Sequence, residues 1–261
     1  VVTDSKISQS SAPCRAMGDL VNHKVILVAL VGGIFPALFW LWFWLKEDKE
    51  RPEPRGLIFL TFLLGMATVI FVLPFQQLAR THLDNQMFLT LVWATMEEVI
   101  KYGAVALVAF KSAYVDEPID YPIYMIAAAL GFAALENTLF LIHPLSVNDT
   151  TVGLLTGNLR FLGATLLHAV ASAMVGISMG LAFYGTWFQK KFYLFGGILT
   201  AIALHALFNF FIMKNDGQNF FSVFGFLWIV TIICILLFEK LRRMSEALTH
   251  VNVEPIEPLP N

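Results

Sequence analysis

The stretch Ala94–Gly103, ATMEEVIKYG, puts two carboxylates and an ammonium into Met87–Phe110, a run that is otherwise apolar. A bilayer's hydrocarbon core of about 30 Å takes about 20 residues of helix, and this run has that length. Ionisable side chains inside a membrane face a bundle interior or a wet cavity. The stretch therefore predicts a helix packed among others in a membrane, with its charges turned inward.

The rest of the chain supports a membrane setting. Of 261 residues 57% are hydrophobic and 14% charged, against roughly 25% charged in soluble domains, and the mean hydropathy is +0.71. Six further apolar runs flank the first, at about 25–45, 56–78, 122–143, 156–187, 191–213 and 219–239. The expected fold is all-α, a polytopic bundle of about seven transmembrane helices. Its parts are a polar tail (1–24), a membrane domain (25–240), and a basic surface segment with a Pro-containing tail (241–261). The fifth run exceeds a span and should be tilted, kinked or partly outside the membrane. No signal peptide is expected, since a polar tail precedes a first run of spanning length. A net charge of −2 argues against nucleic acid as a partner, and Cys14 and Cys234 make no disulfide framework.

Basic residues set an orientation. The N-terminal tail and alternate loops hold Lys6, Arg15, Lys24, Arg80 and Lys214. The opposite set holds Lys46, Lys49, Arg51, Arg55, Lys111, Lys190, Lys191, Lys240, Arg242 and Arg243. The positive-inside rule then places the first loop and the C-terminus in the cytoplasm. The sequon Asn148-Asp149-Thr150 falls outside on that count.

Polar residues recur within the other runs: Glu136 and Asn137 in the fourth, Arg160, His168 and Ser172 in the fifth, His205 and Asn209 in the sixth. Glu97 and Glu98 lie four and three residues before Lys101, so either can be its neighbour. Adjacent helical residues diverge by about 100°, so one glutamate should face a site while the other is held by Lys101 or a neighbouring helix. With the orientation above, the carboxylates, imidazoles and Asn209 fall between the midplane and the outer surface. A lone Glu–Lys pair is more often structural, a lone His a packing residue, and Asn137 or Asn209 polar glue between helices; Arg160 can snorkel outward. Two histidines and three glutamates at one depth are instead the residue types that activate water.

Two designs use that set. In one, a buried carboxylate acts as general base while His and Asn donate to an oxyanion. In the other, His168, His205 and either Glu98 or Glu136 hold Zn²⁺ with a position left for water, although no HExxH spacing is present. Gly176–Gly180 matches G-x-S-x-G, but that motif needs a strand-to-helix turn. In an apolar helix its small residues serve close packing.

Five segments in order, EDKERPEPRG (47–56), EEVIKY (97–102), GFAALEN (131–137), LLHAVASAMVG (166–176) and HALFN (205–209), resemble the PrsW-type intramembrane peptidases. These are distant relatives of the CAAX-prenyl endopeptidase and bacteriocin-immunity group. The resemblance implies an intramembrane endopeptidase acting on a membrane-anchored protein within the lipid bilayer, with Glu97, Glu98, Glu136, His168 and His205 needed for activity. By similarity to the CAAX enzymes, Glu97 would activate water with His168, while His205 and Asn209 would line an oxyanion hole. That analogy favours a metal-free mechanism without cofactor over zinc. The pattern departs at Lys101, whose counterpart lies one residue later in those relatives, and at Ala164, where they carry Phe. In bacteria the family makes the first, extracytoplasmic cut in a membrane-anchored anti-sigma factor, which implies a plasma-membrane location. The competing expectations are a proton-coupled transporter, which would stagger its ionisable groups across the membrane, and a non-catalytic scaffold or immunity-type protein.

Overall fold

The computed structural model describes residues 23–46, 51–146, 163–213 and 220–251. They form seven helices: α1 (His23–Leu45), α2 (Arg55–His82), α3 (Gln86–Val108), α4 (Asp120–Ser146), α5 (Thr165–Leu181), α6 (Trp187–Met213) and α7 (Phe220–Val251), with a single 3₁₀ turn at Ala109–Lys111. No strand occurs among the described residues. Cys14, the Asn148 sequon and Arg160 lie outside them.

Helices α1, α2, α4, α6 and α7 are long and apolar enough to cross a membrane. The chain is a polytopic helical membrane protein. Helix α3 matches α1 in length, at 23 residues, but carries Glu97, Glu98 and Lys101. Helix α5 has 17 residues.

Helix α4 is the centre. Every residue from Pro122 to Ala134 is buried, as expected of a helix that is apolar all round. Helices α1, α2 and α5 pack against it. The α2–α4 crossing is backbone on backbone: a Cβ on Gly131 would fall 1.9 Å from the Phe62 carbonyl oxygen, and one on Gly65 2.0 Å from that of Ala128. The G-x-S-x-G match is also a packing surface. In α5, a Cβ on Gly176 would meet Pro122 at 2.3 Å, and one on Gly180 would lie 2.3 Å from the Pro118 carbonyl oxygen.

Two boundaries differ from expectation. The fifth apolar run divides after Leu181, where Phe183 N–H bonds to the Gly180 carbonyl and Gly185 N–H to that of Ala182. Thr186 and Gln189 then exchange backbone-to-side-chain hydrogen bonds at 2.8 and 3.3 Å, a capping box that starts α6. At the other end, α7 runs unbroken for 32 residues into the basic segment, and Leu241 is buried there against α5 near Gly180. The start of that segment therefore belongs to the packed bundle.

Candidate active site

Asn85 caps α3 by accepting the Phe88 N–H at 3.0 Å. Three turns on, the helix presents its charges to the bundle. Glu98 is fully buried and has no free oxygen. Its Oε1 accepts from Lys101 Nζ at 2.7 Å and from His205 Nδ1 at 2.9 Å, and its Oε2 accepts from Ser172 Oγ at 2.7 Å. Lys101 also donates to His168 Nδ1 at 3.0 Å, and its Nζ lies 4.4 Å from the centre of the Phe132 ring. Two of the ammonium's three hydrogens go to Glu98 and His168, and its charge lies over the Phe132 ring.

Glu97 points elsewhere, as the 100° divergence requires. Gln76 of α2 donates its side-chain amide to Glu97 Oε1 at 2.8 Å, and the Gln76 carbonyl is fixed by Trp93 Nε1 at 3.1 Å. Glu97 Oε2 is buried with no hydrogen-bond partner; His205 Nε2 is 3.6 Å away. Sequence reasoning missed Gln76, since a glutamine near the end of an apolar helix carries no signal of what it faces.

The hydrogen bonds assign the imidazole protons. His168 Nδ1 accepts from Lys101, so Nε2 keeps the hydrogen and donates it to Glu136 Oε2 at 3.0 Å. His205 Nδ1 donates to Glu98, which leaves the Nε2 lone pair facing Glu97. The two rings meet edge to face, with centroids 4.9 Å apart. Asn137 donates to Thr165 Oγ1 at 2.8 Å and ties α4 to α5.

Glu97, Glu136, His168, His205 and Asn209 all line one cavity of about 470 Å³, which Gln76 and Arg80 of α2 also border. Glu98 stands behind this wall, bonded to His205. The cavity lies toward the end of the bundle where α2 turns into α3. These ionisable groups are thus gathered around one cavity.

One ligand atom each from Glu97, His168 and His205 lies within 4.8 Å of the others. Two histidines and a carboxylate are a donor set of catalytic zinc, which keeps a further position open for water. Glu97 Oε2, which makes no hydrogen bond, and His205 Nε2, which makes none among the described residues, fit that role, and Glu98 behind His205 supplies the supporting carboxylate such histidines usually have. The carboxylate of this trio is Glu97; both oxygens of Glu98 are already occupied, and Glu136 Oε2 is bonded to His168 Nε2. His168 would have to release its Nε2 hydrogen, and with it the bond to Glu136, to ligate through that nitrogen.

Membrane-length helices packed around a cavity that Glu97, Glu136, His168 and His205 line define a polytopic membrane protein with ionisable groups gathered among its helices. Residues 53–237 match the family described as "PrsW family intramembrane metalloprotease", and the chain belongs to that family. Similar proteins are each named Protease PrsW. That of Geobacillus kaustophilus is 23% identical over 232 residues, covering 87% of this chain and 95% of the relative. That of Oceanobacillus iheyensis is 28% identical over 224 residues, covering 85% and 98%. That of Bacillus subtilis is 23% identical over 201 residues, covering 75% and 88%. No solved structure matches the chain.

Proposed function

We propose that this chain is an endopeptidase that hydrolyses a peptide bond of a membrane-anchored protein at the Glu97–His205 cavity. The observation that carries the proposal is the buried Oε2 of Glu97, which has no hydrogen-bond partner and belongs to a side chain lining that cavity. Water placed there gives a proton to Glu97 as its oxygen attacks the carbonyl carbon, and the proton then passes to the leaving amine. His205, held by Glu98, presents Nε2 to the same space and can share that proton. Asn209, on the same face of α6, donates its amide to the oxyanion.

The family description and the Glu97–His168–His205 trio also support a zinc-dependent form. Zinc bound there would lower the pKa of its water and polarise the carbonyl. With Glu97 so engaged, Glu136 is the carboxylate left at the cavity to hold a proton. The substrate class we infer is a single-span protein cut on its extracytoplasmic side, in the manner of an anti-sigma factor. The loop charge count supports this by placing the α2–α3 end outside and the C-terminus in the cytoplasm.

The test is cleavage of a single-span anti-sigma-factor-like protein co-reconstituted with the purified chain. Wild type should release a fragment, whereas Glu97→Gln and His205→Ala should not, while eluting and melting as folded proteins. Cleavage by both variants would overturn the site. Elemental mass spectrometry of the same samples separates the two forms. One zinc per chain, lost in both variants, makes the enzyme a metallopeptidase; activity without bound metal and unaffected by chelators makes it a glutamate–histidine enzyme.

A further inference from the structure

We infer that the crevice between α1 and α2 is a binding site for one anionic diacyl phospholipid, with its phosphate held by Lys46 and Arg55. Both helices pack chiefly on α4, and the space between them is a groove of about 940 Å³. Its walls are apolar, with Leu38 and Leu41 from α1 facing Phe59 and Met66 from α2. Lys46 and Arg55 stand at one end only, where α1 finishes and α2 begins.

Length identifies the occupant. From Lys46 to Ile34 on α1, and from Arg55 to Met66 on α2, the groove extends roughly 17 Å at 1.5 Å per residue. That is close to one leaflet, half of a core of about 30 Å. A groove one leaflet deep, with cations at its outer end and hydrocarbon along its length, has the polarity of a phospholipid.

Charge narrows the class. Neither Lys46 nor Arg55 forms an ion pair among the described residues. Lys46 sits over the Trp42 ring, with Nζ 3.7 Å from its centre, which holds the ammonium at the groove mouth. The carboxylate that borders the groove, Glu53, is engaged by the Tyr124 hydroxyl and by Asp120. Two cations without an ion-pair partner among the described residues, beside an apolar slot, favour an anionic headgroup over a zwitterionic one.

Native mass spectrometry of the full chain in mild detergent tests this, titrating phosphatidylglycerol against phosphatidylcholine of the same acyl chains. Wild type should retain one phosphatidylglycerol with a preference of roughly tenfold to thirtyfold, the scale of two basic residues near an anionic headgroup. Lys46→Gln with Arg55→Gln should abolish the preference, whereas Lys190→Gln with Lys191→Gln, a basic pair at the start of α6, should preserve it. Leu38→Trp, which fills the slot and leaves both cations, should reduce retention of either lipid. Equal binding of the two lipids by wild type, or a preference that survives the Lys46/Arg55 change, would overturn the site. So would equal loss in the Lys190/Lys191 control.

Discussion

Lys101 pairs with Glu98, three residues before it, and not with Glu97, four before it. The Nζ–Oε1 distance is 2.7 Å, with both side chains fully buried. Helical spacing permits either pair. Neighbouring helices decide: Ser172 of α5 and His205 of α6 reach the same carboxylate, while Gln76 of α2 draws Glu97 to the cavity.

Removing one member of such a pair leaves a buried charge without its partner, at a cost of about 3–5 kcal/mol. Lys101→Met should therefore lower the melting temperature markedly. Adding Glu98→Gln to it should recover most of that loss, because a neutral amide no longer requires a counter-ion. Activity should not return with stability, since the amide offers His205 Nδ1 no carboxylate. Thermal melts and cleavage assays on wild type, Lys101→Met, Glu98→Gln and the double variant check this, and additive stability losses would refute the coupling.

The placement of charge on α3 was legible because carboxylates in a spanning run have few places to go. The divergence of Glu97 and Glu98 followed from the helical repeat alone. Their partners were not legible, because Gln76, Ser172 and His205 come from three other helices, and only packing brings them to one point. The break between α5 and α6 had a sequence signal, Thr-x-x-Gln at 186–189, which an apolar-run count passes over. The inward packing of Leu241 had none, since it depends on the small Gly180 across the interface.

Gln76 is expected to be a positioning residue. It satisfies Glu97 Oε1 and leaves Oε2 free, and Trp93 holds its backbone carbonyl. Gln76→Met keeps the volume and removes the donor. Loss of such a supporting hydrogen bond typically costs about 10–100-fold in activity or metal affinity. The fall should appear in kcat with KM little changed, while the melting temperature stays near wild type. Trp93→Phe, which only frees the Gln76 carbonyl, should give a smaller effect of the same kind. A change confined to KM would refute the assignment.

The α2–α4 crossing predicts a sharp intolerance. Gly131→Ala puts a methyl carbon 1.9 Å from the Phe62 carbonyl oxygen, which is backbone and cannot swing aside. The helices must separate, at a cost of about 1–3 kcal/mol for overpacking of this kind. Because α2 carries Gln76, the separation should also lower cleavage. Gly56→Ala is the control, since nothing lies within 4 Å of a Cβ there. It should leave both stability and activity near wild type.

At the end of the bundle away from the cavity, Glu53 fixes the entry of α2 onto α4 and should make that attachment sensitive to pH. The Tyr124 hydroxyl donates to Glu53 Oε2, and the Asp120 carboxyl is close enough to Glu53 for the two to share a proton. Asp120 Oδ2 also accepts the Asp116 and Glu117 N–H groups at 2.9 and 2.7 Å, and Glu117 pairs with Arg51 at 2.9 Å. Burial raises the Glu53 pKa above its ordinary value, and the nearby Asp116 and Glu117 charges push the same way, against the bonds from Asp120 and Tyr124. A group whose folded pKa is raised binds its proton more tightly in the folded chain. Its contribution is full below the unfolded pKa and is lost as pH rises through the folded one. Hydrogen exchange at Leu57 and Ile58, whose N–H groups bond to the Pro54 carbonyl, should therefore speed up with pH beyond the intrinsic chemical rate over that window. Glu53→Gln, which can accept from Tyr124 and donate to Asp120 without titrating, should remove the excess.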